Sequence, residues 1–180
     1  VTRTRISADA VEVEAAFYSN RINNAIYEHF PHEFICSIRI ILTDNELTHI
    51  VSFNNTGSAA MPLGVGYHTP IRLPFMENSE KCDYKLKLSA GKRWELSERS
   101  LPTGNLLDLS EEEMQLRNEG MPVTGKPIEI ALTDEAIIEN GKTYHGAILI
   151  NSKENISVYY EVDKQFKHWT LWNNGGEVDW

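Results

Sequence analysis

One histidine, His68, has surroundings that favour a role in proton transfer. It lies in Met61-Pro-Leu-Gly-Val-Gly-Tyr-His-Thr-Pro-Ile-Arg-Leu-Pro-Phe75, after an apolar run with two glycines and before Pro70 and Pro74. Glycines let the backbone bend or let a ligand approach it closely, and prolines stiffen the segment that follows. Because an imidazole can take up or release a proton near neutral pH, His68 is a candidate for proton transfer at the end of a predicted strand. The alternative is a structural histidine whose ring bonds a backbone carbonyl group.

A carboxylate, Asp134, is the second candidate. It lies in Leu132-Thr-Asp-Glu135, directly after the predicted strand Ile128–Leu132. An ionised carboxylate there is able to accept hydrogen bonds from the hydroxyl groups of a ligand. The alternative is a turn residue that caps its own backbone, as aspartate often does.

The other histidines give weaker signals. His29 and His32 are three residues apart, but a proline between them breaks the helix that usually organises a metal-binding pair, so we predict no metal. The chain also has no phosphate-binding loop, dinucleotide fingerprint or His-Glu-x-x-His zinc motif. His49 falls on the apolar face of its strand, which predicts a core histidine. His145 and His168 fall at strand starts with no evident partner.

Composition and charge restrict the class of partner. The chain has 180 residues, a net charge of −9, and 41% hydrophobic and 24% charged residues, which is typical of one globular domain over residues 1–180. An acidic protein repels phosphate backbones and anionic lipid surfaces, so we expect neither nucleic acid nor a membrane as partner. A neutral small molecule meets no such repulsion. No stretch is apolar and long enough to cross a bilayer.

The cysteines and the first residues predict the compartment. Cys36 and Cys82 lie far apart and form no metal or redox motif. The start of the chain, Val-Thr-Arg-Thr-Arg, lacks the apolar core of a signal peptide. We therefore expect two buried free thiols in a cytoplasmic protein.

Apolar and polar residues alternate with a period of two along most of the chain. Alternation over Phe34–Leu42 and Leu47–Phe53, separated by Asp44-Asn45, predicts a hairpin. Further strands are predicted at Tyr84–Leu88 with a break at Gly91, and at Ile128–Leu132, Tyr144–Ile150, Ile156–Val162 and His168–Trp172. Many short strands separated by turns indicate an all-β, antiparallel sandwich or barrel.

Few segments have helical features. Ser110 before three glutamates is typical of an N-cap with an acidic first turn, which predicts one short helix. A further helical turn is expected within Asn20–Tyr27. The prolines and glycines of Ser97–Pro127 predict a long loop region around the short helix.

Both ends of the sequence are abrupt. Val1 is not a methionine, and Glu177-Val-Asp-Trp180 is typical of the entry into another strand. We therefore expect a piece of a longer chain with sheets incomplete at both ends. Unpaired sheet edges would favour a homo-oligomer.

Several segments in order resemble the aldose 1-epimerase (galactose mutarotase) family. They are Leu47-Thr-His-Ile-Val-Ser-Phe-Asn-Asn-Thr-Gly57, Met61-Pro-Leu-Gly-Val-Gly-Tyr-His-Thr-Pro70, Trp94-Glu-Leu96 with Leu101-Pro-Thr-Gly104, Leu132-Thr-Asp134, and Ser157-Val-Tyr-Tyr160 with His168-Trp-Thr-Leu-Trp172. The resemblance implies a β-supersandwich that acts without a cofactor on a free hexose. It implies that His68 is the general acid on the ring oxygen and that Asp134 binds sugar hydroxyls.

The resemblance also implies that the site needs more than these residues. The family's base is a glutamate in a Glu-Pro element, which the matched order of segments places after Trp180. We therefore expect little mutarotase activity from the 180 residues alone. The alternatives to an isomerase are a carbohydrate-binding module without catalysis and a β-sandwich used for assembly.

Overall fold

The computed structural model describes residues 2–20, 24–124 and 127–174. The chain divides into two compact units, Val1–Val65 and Gly66–Trp180. One domain over residues 1–180 stays a prediction.

The first unit contains an antiparallel sheet whose strands follow the order of the chain. Its elements are β1 (Arg3–Ile6), β2 (Val11–Ser19), α1 (Asn24–Tyr27), β3 (Phe34–Leu42) and β4 (Leu47–Asn55). The pairing of β3 with β4 runs without a break from Phe34 opposite Asn55 to Leu42 opposite Leu47, so the predicted hairpin is confirmed. The helical turn expected within Asn20–Tyr27 is present as α1, and residues 21–23 lie outside the described residues.

Apolar packing in the first unit concentrates at one end of the β3–β4 hairpin. Phe34 is buried, and its ring centroid lies 6.1 Å from that of Phe17 and 6.1 Å from that of Phe53. His49 lies toward the turn end, where Leu42 and Leu47 are 51% and 60% exposed. His49 is itself exposed, so the prediction of a core histidine is wrong. Alternation identifies its face of the strand but not which end of that face is covered.

The described part of the second unit contains ten strands and one α-helix. They are β5 (Tyr84–Leu88), β6 (Ala90–Leu96), β7 (Pro102–Leu107), α2 (Glu111–Asn118), β8 (Met121–Pro122), β9 (Pro127–Asp134), β10 (Ile137–Glu139), β11 (Lys142–Tyr144), β12 (Gly146–Asn151), β13 (Ile156–Glu161) and β14 (His168–Asn174). One sheet has the order β13-β12-β5-β8, a second has the order β14-β9-β6-β7, and β10 and β11 form a separate ribbon. Every pair is antiparallel, which confirms the predicted all-β antiparallel class.

The main core of the second unit combines side chains from both four-stranded sheets and α2. Leu88 of β5, Ala90 of β6, Leu132 of β9 and Leu116 of α2 are at most 2% exposed. Burying a side chain the size of leucine stabilises a fold by about 1.5–3 kcal/mol. This cluster therefore fixes the two sheets and the helix against one another.

The helix α2 begins where the sequence predicts it. Ser110 Oγ accepts a hydrogen bond from Glu113 N, and the Glu113 side chain accepts one from Ser110 N. This reciprocal pair satisfies two backbone donors that the first turn leaves free. The predicted short helix is confirmed.

The region Ser97–Pro127, predicted as a loop around that helix, also contains β7 and β8. All six residues of β7 are exposed, so the strand has no alternation of buried and exposed positions for the sequence to reveal. Gly91, predicted as a strand break, lies inside β6. A Cβ at Gly91 would lie 2.7 Å from Thr133 Oγ1 and 2.9 Å from Glu135 Cβ, so glycine is required for close packing rather than for a turn.

Two local predictions concern residues outside the core. The turn at Asn140-Gly141 is confirmed, with φ of 48° and 74°, the left-handed conformation that a tight hairpin between β10 and β11 requires. The cysteines are both free, but Cys36 is only half-buried and Cys82 is exposed, so the prediction of two buried thiols is wrong.

No helix among the described residues has the length and apolar character needed to cross a membrane.

Candidate functional site

The two four-stranded sheets of the second unit meet where the chain passes from β5 to β6 through Ser89. Ser89 is fully buried. Its N–H donates to Gly146 O at 2.9 Å, and its carbonyl oxygen accepts from Glu135 N at 3.0 Å. These bonds bring the start of β12 and the residue after β9 to the same junction. Side chains from segments far apart in sequence therefore converge there.

Asp134, the last residue of β9, lies at the centre of this junction. Its Oδ1 accepts hydrogen bonds from Ser89 Oγ at 2.5 Å and from Trp169 Nε1 at 3.0 Å. Its Oδ2 lies 2.5 Å from His145 Nδ1. The side chain is only 3% exposed. The alternative of a turn residue that caps its own backbone is wrong, because these partners are side chains 45, 35 and 11 residues away.

Three polar donors offset the cost of burying this carboxylate. An ionised group without partners is expensive to remove from water, and hydrogen bonds to a charged group are stronger than those between neutral groups. Both oxygens of Asp134 are already engaged. The network of Ser89, Asp134, His145 and Trp169, called the Asp134 network below, is therefore complete as it stands.

His145 is a partly exposed member of the Asp134 network. It lies between β11 and β12, which splits the predicted strand Tyr144–Ile150 in two, and its side chain is 28% exposed. With Asp134 ionised, its carboxylate only accepts hydrogen bonds, and Nδ1 is then the donor to it. In the neutral ring this leaves Nε2 as an acceptor. The sequence prediction that His145 lacks a partner is wrong.

Gly146 fixes the backbone beside His145. Its N–H donates to Ser89 Oγ at 2.8 Å. Its φ is 156°, and a Cβ at this position would lie 2.2 Å from the carbonyl oxygen of Tyr160. Only glycine fits, because β12 and β13 approach each other closely here.

His68 lies in an irregular exposed segment between β4 and β5, so its placement at the end of a strand is wrong. Prolines on both sides remove backbone donors that a strand needs. A Cβ added at Gly64 or Gly66 would have no neighbour within 4 Å, so these glycines allow bending rather than close packing. Within the described part of the second unit, no group bonds the His68 ring. The imidazole is accessible to a ligand.

The residues on either side of His68 contact β13 and the loop that follows it. Thr69 Oγ1 lies 3.1 Å from Tyr160 OH, and the ring of Tyr67 lies 5.8 Å from that of Phe166. The Tyr160 ring in turn lies 6.4 Å from the ring of Trp169, edge to face. Since Trp169 donates to Asp134, a continuous series of contacts connects the His68 segment with the Asp134 network. The two predicted site residues are linked in this way, without a direct contact.

The remaining histidines lie elsewhere. His168 Nδ1 accepts a hydrogen bond from Trp94 Nε1 at 3.3 Å, so the expectation that it has no partner is wrong. In the first unit, His32 stacks on Phe30 with ring centroids 4.6 Å apart. Within residues 2–20, 24–124 and 127–174, no three His, Cys, Asp or Glu side chains lie together in a way that suits a metal ion.

The site combines an exposed imidazole at His68, a partly exposed imidazole at His145 and the rings of Tyr160 and Trp169, which contact each other. Aromatic side chains with a polar edge are well suited to ligands that have both apolar and polar surfaces. None of the hydrogen bonds of the Asp134 network involves a lysine or arginine.

Comparison with known proteins agrees with this description. The family model of aldose 1-epimerase matches residues 6–179. Among solved structures, a galactose mutarotase-like protein from Clostridium acetobutylicum is similar, with a TM-score of 0.91 and 33% sequence identity. The match covers 97% of this chain and 52% of that chain, so the present chain spans about half the length of that protein. It confirms the predicted galactose mutarotase-like β-sandwich fold. The chain belongs to the aldose 1-epimerase family.

Proposed function

We propose that the protein is an isomerase which interconverts the α and β anomers of a hexose, with His68 as general acid and Asp134 in substrate binding. The observation that carries this proposal is the series of contacts from Thr69 through Tyr160 and Trp169 to Asp134. It ties an accessible imidazole to a polar network that contains Asp134 and the partly exposed His145. The family membership supplies the reaction class.

The chemistry needs one proton delivered and one removed. His68 donates a proton to the ring oxygen of the sugar while a base removes the proton of the anomeric hydroxyl. The bond between C1 and the ring oxygen breaks, and C1 becomes an aldehyde carbonyl. Rotation about the C1–C2 bond and ring closure on the other face give the second anomer, with both protons returned. A positioned acid or base contributes about 10²–10⁴-fold to the rate.

The resemblance places the base in a Glu-Pro element after residue 180. For this reason the 180-residue chain on its own is expected to have little mutarotase activity. The resemblance implies no cofactor, and the reaction as written needs none. The net charge of −9 favours a neutral hexose over a phosphorylated one. Self-association through sheet edges and a cytoplasmic location stay predictions.

The second candidate is a carbohydrate-binding module without catalysis. It is favoured by one observation, that no group in the described part of the second unit bonds or orients the His68 ring. A general acid is usually held in place by a partner. Binding and turnover must therefore be measured separately.

The test compares His68→Asn with His29→Asn, a change at an exposed histidine of the first unit. Both variants are made in the 180-residue chain and in the protein expressed from its complete reading frame. Polarimetry on freshly dissolved α-galactose and α-glucose measures turnover, and NMR titration measures sugar binding. We expect His68→Asn to lower kcat of the longer protein by about 10²–10⁴-fold. The sugar affinity of His68→Asn should stay within about twofold of that of the unmodified protein. For His29→Asn, both kcat and sugar affinity should stay within about twofold.

Three results would contradict parts of this proposal. Unchanged turnover in His68→Asn would remove His68 as the acid. Sugar binding without any acceleration of mutarotation in the longer protein would favour the binding module. Full activity of the 180-residue chain would show that its base lies within these residues.

A further inference from the structure

Asp134 is poorly placed to bind a sugar hydroxyl with its own oxygens. Its side chain is 3% exposed, and each oxygen already accepts at least one hydrogen bond. A hydroxyl could reach the carboxylate only by displacing Ser89, Trp169 or His145. The displaced buried donor would then lose its partner, which is unfavourable.

His145 has the free acceptor that Asp134 lacks. Its Nδ1 is engaged by Asp134, while no described residue of the second unit bonds Nε2. The exposed 28% of the side chain leaves a ligand access to the ring. A neutral imidazole held by a carboxylate at one nitrogen presents an acceptor lone pair at the other nitrogen.

The backbone around His145 is fixed on both sides. Val162 N donates to His145 O at 2.9 Å, and Gly146 N donates to Ser89 Oγ. Because Ser89 Oγ also donates to Asp134, one hydroxyl holds the carboxylate and the backbone next to the histidine together. The ring and its partner therefore keep a constant relative position.

Strand β13, through Tyr160, contacts both the residue after His145 and the His68 segment. Gly146 packs directly against the carbonyl oxygen of Tyr160, and the hydroxyl of Tyr160 bonds Thr69 beside His68. Tyr160 thus contacts the residue after one histidine and the residue after the other. Its backbone contacts the His145 side and its hydroxyl contacts the His68 segment, so one residue connects the surroundings of the two histidines.

We propose that His145 Nε2 accepts a hydrogen bond from a ring hydroxyl of the hexose, and that Asp134 acts on the substrate through His145. This inference rests on the proposed function for the identity of the ligand. It assigns His145 to substrate binding and makes Asp134 a positioning residue. Ser89 and Trp169 hold Asp134 in turn.

The first experiment reads the tautomer of His145. In protein labelled with ¹⁵N-histidine, long-range ¹H–¹⁵N spectra distinguish a ring protonated at Nδ1 from one protonated at Nε2. We expect the Nδ1–H form in the unmodified protein. Asp134→Asn replaces the acceptor by an amide that also donates, which favours the Nε2–H form and removes the free acceptor. An Nε2–H ring in the unmodified protein would overturn the proposal.

The second experiment measures galactose and glucose binding by NMR titration. We expect His145→Ala and Asp134→Asn to weaken binding by about 3- to 10-fold, the loss of one hydrogen bond. His145→Gln keeps an acceptor at the end of its side chain and should recover part of the affinity. His29→Asn is the matched control and should bind normally. In the longer protein, His145→Ala should raise KM with kcat nearly unchanged, whereas His68→Asn lowers kcat.

The outcomes separate this inference from the proposed function. Normal sugar binding by His145→Ala would overturn the role of His145 whether or not the protein is an isomerase. Weakened binding by His145→Ala with no mutarotation in the longer protein would support His145 and contradict the isomerase. Absence of any hexose binding by the unmodified protein would overturn both. If Asp134→Asn does not fold, the two His145 variants decide the question, since His145 is partly exposed.

Discussion

Removal of the Ser89 hydroxyl should destabilise the second unit strongly, because this one group serves two partners. Ser89 Oγ donates to Asp134 Oδ1 and accepts from Gly146 N, and the residue is 0% exposed. Ser89→Ala leaves the Gly146 N–H without a partner, at a cost of about 1–3 kcal/mol. It also removes one of three donors from a buried carboxylate, and a hydrogen bond to a charged group contributes about 1.5–3 kcal/mol. We expect a total loss of about 2.5–6 kcal/mol.

Urea unfolding followed by tryptophan fluorescence measures this change. The matched control is Ser152→Ala, at an exposed serine in the turn between β12 and β13, which should change the free energy of unfolding by less than about 0.5 kcal/mol. A double-mutant cycle with Asp134→Asn isolates the bond between the two side chains. Residues in one hydrogen-bonded network are expected to show a coupling energy of about 0.5–3 kcal/mol.

A loss below about 1 kcal/mol in Ser89→Ala would refute the reasoning, because it would mean that neither partner depends on the hydroxyl. If Ser89→Ala lowers the free energy of unfolding as expected but shows no coupling energy with Asp134→Asn, the whole effect comes from the Gly146 N–H. In that case the carboxylate would be held by Trp169 and His145 alone.

Two further predictions concern backbone fit and pH. Gly146→Ala places a Cβ 2.2 Å from Tyr160 O at a φ of 156°. We therefore expect the free energy of unfolding in urea to fall by at least about 2 kcal/mol. The control Gly66→Ala, whose Cβ would have nothing within 4 Å, should lower it by less than about 0.5 kcal/mol. The pKa of Glu95 is held below its ordinary value by hydrogen bonds, first from Thr103 and then from Asn105. The stability that Glu95 contributes is therefore present above the ordinary glutamate range and is lost as the pH falls toward the lowered folded pKa. NMR titration of the Glu95 carboxyl carbon measures the folded pKa, and a value at or above the ordinary one would contradict this account.

Segments with an alternating apolar pattern or a capping motif can be predicted from the sequence, whereas exposed strands and close-packed glycines cannot. Alternation identifies the β3–β4 hairpin because apolar residues recur at alternate positions of each strand and a polar turn separates the two strands. The exposed strand β7 has no such set, so its Pro102 and Gly104 indicate a loop when only the sequence is considered. Gly91 by itself indicates a break, whereas its role depends on Thr133 and Glu135, which lie on another part of the chain.

The candidate site is predictable only in part, for a similar physical reason. The residue types of His68 and Asp134 give two candidates, and the family resemblance gives them roles that stay proposals. The partners of Asp134 lie 11, 35 and 45 residues away, and they meet only because β5, β9, β12 and β14 end or begin near one junction. No spacing in the sequence encodes that meeting. The sequence does not single out His145 because its signal is the adjacent Gly146, whose requirement for glycine appears only when Tyr160 is placed against it.

Tyr160 contacts the surroundings of both histidines, through its backbone near His145 and through its side chain near His68. Its backbone pairs with Ala147 in the β12–β13 ladder, which runs from Gly146 opposite Glu161 to Asn151 opposite Ile156. Its hydroxyl bonds Thr69, and its ring packs on Trp169. The ladder is regular and hydrogen-bonded along its length, so it defines the position of His145 directly before its first residue. The His68 segment has no strand of its own and takes its position from the same ladder through Thr69. The imidazole of His68 on an irregular segment and that of His145 before a strand are thus positioned by the same ladder. The proposed proton delivery to one atom of a sugar and recognition of another would require such common positioning.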